Sequence, residues 1–310
     1  MTGTSHAGIE ARGLRRSFGS IHAVRDATFD ARPGRITGLV GPNGAGKTTL
    51  FLLLASLLAP DAGSVRVGGA DPVTDPRSVR RVLGWMPDAL GTWDSLTARE
   101  TLTVAARLYG APRDAARARA DELLGEVGLA PLAGAKARVL SRGQKQLLGL
   151  ARALVHRPTV LLLDEPASGL DPAARIALRH HLRALADAGA TILISSHVLA
   201  ELDEMVDDAV FLAAGATVAA PPPATQLREW RIRGLGGAAD PGSLREAVSG
   251  LLPGVAVRVD RQDVVAGFAG DEAAASALAR LVHAGVPVAE FAPASGRLES
   301  AFFELQGGAR

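Results

Sequence analysis

The sequence predicts an α/β protein on a mainly parallel sheet, followed by a small α+β unit. Three observations carry this expectation. Short apolar strands alternate with helical stretches as far as TILISS at 191–196, the pattern of a parallel sheet with crossover helices. A glycine-rich loop, GPNGAGKT, joins a strand to a helix. A triple proline at 221–223 interrupts the chain, and a second alternation of strands and helices begins after it.

Taken in order, VRDATFDARPGRITGLVG reads as strand, Pro-Gly turn, strand. The second of these strands runs into GPNGAGKTTLFLLLASLL, which reads as a helix. Residues 96–130 are rich in Ala, Arg, Leu and Glu at helical spacing, and LSRGQKQ at 140–146 opens another helix. TVLLLD at 159–164 is a buried strand, a helix spans 172–188, and TILISS is a further strand. The helix-rich insert at 96–155 is expected to stand apart from the sheet. Three consecutive prolines continue neither a helix nor a central strand. The expected layout is therefore a domain at 1–220 with a helical subdomain at about 88–155, a linker at 221–224, and a second domain at 225–310. WRIRGL, SLREAVSGLL, VAVRVDR, DVVAGFAG, DEAAASALARLVHAGV and VAEFAPA spell βαββαβ, a ferredoxin-like order, with a last helix in RLESAFFELQ.

The chain has 310 residues, 47% hydrophobic and 21% charged, enough apolar material for real cores. Basic and acidic residues nearly cancel, 34 against 32, which does not mark a nucleic-acid binder. Cysteine is absent, so thiolate metal sites and cysteine nucleophiles are excluded. MTGTSHAGIEARG has no basic region followed by an apolar stretch, so no signal peptide is expected. The longest apolar run, LFLLLASLLA at 50–59, is short of the roughly 20 residues a spanning helix needs. Any membrane role then requires a partner.

Three motifs carry chemistry. In the loop Gly41, Pro42, Asn43, Gly44, Ala45, Gly46, Lys47 and Thr48, with Thr49 next, glycines let backbone N–H groups turn toward phosphate at a helix start. Lys47 supplies a mobile point charge, and Thr48 a hydroxyl for Mg²⁺. VLLLDEP ends an apolar strand in two carboxylates at the sheet edge where α/β proteins place ligands. Asp164 is expected to hold Mg²⁺ and Glu165 to act as base toward water. His197 follows the next strand at the same edge and is expected to meet the γ-phosphate and orient the water. His6, His22, His156, His180, His181 and His283 lack such a context and are read as surface or packing residues. In LSRGQKQ, Ser141 is a good N-cap and Gln144 stands at capping-box spacing, which by itself describes an ordinary capped helix.

Phosphate loop, LSRGQ, DEP, SGLD and a histidine after a strand, in that order, resemble the ATPase subunits of ABC transporters over about residues 8–220. The resemblance implies the ABC cassette of P-loop NTPases, a mixed, mainly parallel sheet with a helical and an antiparallel β subdomain. It implies ATP and Mg²⁺ as the bound groups. The family signature LSGGQ stands here as Leu140-Ser141-Arg142-Gly143-Gln144. In the family this segment caps the γ-phosphate held by the phosphate loop of another subunit. Ser141, Gly143 and Gln144 are thus expected to complete a site in a head-to-tail homodimer or heterodimer. Phe18, in RRSFG, matches the aromatic that stacks on adenine, and Asp171, in SGLD, the loop that crosses the dimer interface.

Two positions depart from the family. In LGWMPDALG, Asp88 replaces the usual glutamine, which implies a carboxylate ligand for Mg²⁺ within the catalytic set and extra negative charge beside Asp164 and Glu165. Arg142 replaces the first signature glycine. It either turns away from nucleotide to pair with an acid, reaches the γ-phosphate or the dimer interface, or marks a degenerate signature. The resemblance further implies a separately encoded membrane permease as partner and a place at the cytoplasmic face of the membrane. The tail resembles the C-terminal extension of export-type subunits, including drug-resistance exporters. The rival reading is a soluble ABC ATPase acting on ribosomes or DNA. Such proteins usually carry two cassettes or a long coiled coil, and this chain has one cassette and no sustained heptads. A binding module without hydrolysis is disfavoured because Lys47, Asp164, Glu165 and His197 are all present.

Overall fold

The computed structural model describes residues 8–89, 91, 93–218, 228–235, 240–294, 296, 298 and 302. The chain divides into two compact units, Met1–Ala220 and Pro221–Arg310. His6 and the proline-rich segment 221–224 lie outside the described residues, as does RLESAFFELQ apart from Leu298 and Phe302.

In the first unit the strands are β1 (Ile9–Phe18), β2 (Ile21–Ala31), β3 (Ile36–Val40), β4 (Ala62–Val67), β5 (Leu83–Met86), β6 (Val160–Asp164), β7 (Thr191–Ser195), β8 (Asp208–Ala213) and β9 (Ala216–Val218). The helices are α1 (Lys47–Leu54), α2 (Pro76–Val82), α3 (Ala98–Leu108), α4 (Arg113–Glu126), α5 (Arg142–Ala153), α6 (Pro172–Asp187) and α7 (Leu199–Asp203). The nine strands form one sheet in the order β4-β1-β2-β9-β8-β3-β7-β6-β5. From β8 to β5 the neighbours are parallel; β4, β1 and β2 are antiparallel, as are β8 and β9. The sheet is thus mixed.

Residue types explain this split. β3, β6 and β7 are buried at every position, as strands covered on both faces must be, and most of their residues are apolar. β1 and β2 alternate buried and open residues and pair as a hairpin through the two-residue turn after Phe18. The apolar α1 buries Leu50, Phe51, Leu53 and Leu54 in the core shared with β1, β2 and β4. On α6, Leu178, Leu182 and Ala186 recur at every fourth residue and are buried, so one stripe of the helix packs inward.

The helices α3, α4 and α5 pack together, and Leu102, Ala105, Ala120, Leu123 and Leu148 on them are buried. The insert was expected to stand apart from the sheet; it does not do so wholly, because α5 also packs on the edge strand β5. Among the described residues, no helix is long and apolar enough to cross a membrane.

The second unit comprises β10 (Arg228–Gly234), α8 (Pro241–Leu251), β11 (Val257–Asp260), β12 (Asp263–Phe268), α9 (Asp271–His283) and β13 (Val288–Pro293). Its strands form an antiparallel sheet in the order β11-β12-β10-β13. Ile232, Val264, Ala266 and Phe268 from the sheet meet Leu244, Val248, Ala274 and Leu281 from the helices in a core of their own.

Candidate functional site

Four parallel neighbours, β3, β7, β6 and β5, end at one edge of the sheet, and their registers place the ends side by side: Leu39 beside Ser195, Ser195 beside Asp164, Leu163 beside Met86. The chain leaving β3 is the phosphate loop. β6 ends in Asp164 and Glu165, β7 in Ser195, and Asp88 follows β5. Parallel pairing therefore gathers residues more than a hundred positions apart into one pocket.

That pocket is lined on one side by Asn43, Gly44, Gly46, Lys47, Thr48 and Thr49, on another by Asp88, Asp164 and Glu165, and at its rim by Ile21, His22 and Ala23. Gly46 caps α1 with φ 101°, in the left-handed region. A Cβ there would lie 2.3 Å from the carbonyl oxygen of Ala23, so the loop rests directly on β2. The Lys47 ammonium donates to the carbonyls of Gly41 and Pro42 at 2.7 and 3.1 Å. Burial holds it below the ordinary lysine range, against the pull of Glu165 and Asp164.

The acids are held with little slack. The Ser195 hydroxyl donates to Asp164 at 2.5 Å. The Glu165 N–H donates to the Ser195 carbonyl and hydroxyl oxygens, both at 3.2 Å. The Thr48 hydroxyl is 3.5 Å from Asp164 Oδ2. Burial raises the Asp164 carboxyl above the usual carboxylate range; the Ser195 bond opposes the rise, the charges of Asp88 and Glu165 add to it, and Lys47 opposes it. Glu165 has φ 54°, a left-handed conformation that costs a non-glycine residue about 1–3 kcal/mol. Its carbonyl accepts from Gln146 Nε2 on α5 at 2.6 Å, and its carboxylate from His197 Nδ1 at 2.7 Å. A carboxylate oxygen only accepts, so Nδ1 carries the proton in that bond.

The expected residues fall into two groups. Lys47, Thr48, Asp88, Asp164 and Glu165 meet in the pocket, while His197 reaches it only through Glu165. Phe18 is exposed, 44%, at the tip of the β1–β2 hairpin with the Arg16 guanidinium over its ring, so it is not a core residue. Ser141, Gly143 and Gln144 lie outside the pocket at the start of α5. There Ser141 Oγ accepts from the Gln144 N–H and Gln144 Oε1 from the Ser141 N–H, a complete capping box. Asp171 is the N-cap of α6, bonded to the Ala174 N–H at 2.9 Å, and does not line the pocket either.

Of the three readings of Arg142, pairing with an acid is not seen among the described residues: its Nη2 donates to the Ser168 hydroxyl at 2.9 Å, and its aliphatic stem lies over Gly169. The helix start faces this loop backbone to backbone, which leaves a hydroxyl as the nearest acceptor. His22 is exposed, as expected of a surface residue, and the hairpin also carries it to the pocket rim, where Ser17 bonds its Nδ1 at 2.9 Å. Ser195 and Gln146 were also missed. A serine ending a buried strand was a usable signal; Gln146 had none beyond standing beside the signature.

A mixed sheet with a phosphate loop and two carboxylates at its parallel edge defines a nucleoside-triphosphate-binding protein of the P-loop class. The ABC transporter family model matches residues 24–168. The chain is 35% identical over 199 residues to the ABC transporter ATP-binding protein NatA of Bacillus subtilis (strain 168), covering 64% of this chain and 81% of that one. It is 39% identical over 215 residues to the Nod factor export ATP-binding protein I of Burkholderia orbicola (strain AU 1054), covering 69% and 71%. A solved structure of the ATP binding subunit of an ABC transporter superposes with a TM-score of 0.64 at 30% identity, covering 68% of this chain and 88% of that one. The chain belongs to the ABC transporter family and is one of its ATP-binding ATPase subunits.

Proposed function

We propose that the chain hydrolyses ATP as one half of a head-to-tail pair and powers a separately encoded membrane permease in the direction of export. The observation that carries this reading is the division of the phosphate-facing groups. Lys47, Thr48, Asp164 and Glu165 share one pocket, whereas the capped start of α5 at Ser141 lies outside it and has no phosphate of its own to serve. A second copy, or a close relative, supplies what each pocket lacks. Export is supported by the relative whose name records Nod factor export. The chain would then sit at the cytoplasmic face of the membrane, held there by the permease. The strand order β11-β12-β10-β13 supports a ferredoxin-like accessory domain at 225–310.

The residues present fit a divalent cation. The Thr48 hydroxyl and the crowded carboxylates of Asp164 and Asp88 are hard oxygen donors, and burial, with repulsion from Asp88 and Glu165 added, already raises Asp164. Bound Mg²⁺ would supply charge neutralisation on the β- and γ-phosphates. Phosphoryl transfer leaves little covalent work to the protein, so positioning and charge dominate. Backbone N–H groups from Gly44 to Thr48 orient the phosphates at the start of α1, and Lys47 exchanges its loop carbonyls for phosphate oxygens. Glu165 takes the proton of the attacking water, and His197 fixes the carboxylate's direction.

Glu165→Gln tests the core of this reading. The variant should bind ATP within a few-fold of the parent and form stable ATP-dependent dimers, with hydrolysis reduced about 10²–10⁴-fold. Parental turnover would overturn it. Co-purification with a membrane protein of several spanning helices tests the permease; a fully active chain that never associates with one would remove that part.

A further inference from the structure

We propose that Gln146 is a positioning residue for Glu165, holding its peptide in the conformation that hydrolysis needs. Gln146 lies on α5 two residues beyond the capping box and is only 3% exposed. A buried amide must find partners, and its Nε2 donates to the Glu165 carbonyl at 2.6 Å. Because the acceptor is a carbonyl oxygen, only the amide NH₂ can face it.

Glu165 has φ 54°, a conformation that an L-residue keeps only when its surroundings impose it. Its N–H is fixed from β7 by Ser195 and its carbonyl from α5 by Gln146. The same carbonyl also accepts from the Ser168 N–H at 3.1 Å within its own turn. Without the amide only that local bond remains on the carbonyl, and the restraint from α5 is gone. Relaxation toward right-handed φ would swing the Cα–Cβ bond and carry the carboxylate away from His197. A misplacement of about 1 Å at a reacting group costs on the order of 10²-fold in rate. The inference rests on the reading of Glu165 as the base. It adds that the helix whose first turn faces the other copy's nucleotide also holds this copy's own base.

The test is ATP hydrolysis by Gln146→Met, which keeps the length and loses the donor, and by Gln146→Asn, which keeps an amide one methylene too short. Both should lower kcat by roughly 10- to 100-fold with KM for ATP within about twofold and ATP-dependent dimerisation intact. Parental kcat in either soluble variant would overturn the proposal. So would a fall in hydrolysis matched by an equal loss of nucleotide binding, which is the mark of general unfolding. Glu165→Gln in the unaltered chain separates the two layers: if it hydrolyses at the parental rate, the reading of Glu165 fails whatever the Gln146 variants show.

Discussion

One hydroxyl orients two successive acids: Ser195 Oγ donates to Asp164 at 2.5 Å and accepts from the Glu165 N–H at 3.2 Å. Ser195→Ala removes a hydrogen bond to a charged group, worth about 1.5–3 kcal/mol. Steady-state assays should show kcat lowered roughly 10- to 100-fold. Ser195→Thr keeps the hydroxyl and should keep most of the rate. A parental kcat in the alanine variant would count against this account.

Asp164 is a liability to the nucleotide-free protein. Burial raises its carboxyl above the value it has in the unfolded chain, so near and above that value the native state holds more proton than the unfolded state. The group therefore subtracts stability as pH rises through the window between the two values. Asp164→Asn should melt at a higher temperature than the parent at neutral pH. That advantage should shrink on acidification toward roughly pH 4. Thermal melts without nucleotide or Mg²⁺ check this, and an advantage that grows toward acid would refute it.

Asp88 places a third negative charge beside Asp164 and Glu165. Asp88→Gln should weaken binding of the cation: half-saturating Mg²⁺ for ATP hydrolysis should rise several-fold, since an amide is the weaker ligand. The variant should also be more stable than the parent in chelator, where repulsion is unrelieved. Superimposable Mg²⁺ titrations would sink the idea.

Neighbouring signature positions should respond in opposite ways. Arg142→Gly loses one exposed hydrogen bond to Ser168, so ATPase activity should stay within about fivefold. At Gly143 a Cβ would lie 2.8 Å from the Gly169 carbonyl oxygen. Gly143→Ala must push the two segments apart at a cost of about 1–3 kcal/mol, and should lose far more activity. Equal effects in the two assays would contradict the packing seen here.

Much of this was legible in the sequence because the informative signals were local. GPNGAGKT lies between a strand and a helix, VLLLD is buried at every residue, and Ser141 and Gln144 form the capping box their spacing predicts. The four residues of β5 and the three of β9 are too short to show periodicity, and they escaped notice. The partner of Arg142 was not legible because charge suggests a carboxylate, whereas the fold brings up Ser168 from 26 positions away. The place of His22 at the pocket rim was missed for a related reason: only the pairing of β1 with β2 carries that residue to the phosphate loop. Contacts set by tertiary register leave no mark on the neighbouring sequence.

Lys47 gives the nucleotide site a built-in chemical reporter. Lysine occurs elsewhere only at Lys136 and Lys145. The half-buried Lys47 ammonium loses its proton more readily than an ordinary lysine, which makes the free amine available to acylating reagents. Brief acetylation followed by peptide mass measurement would then report site occupancy directly, with the exposed Lys136 as an internal standard in the same digest.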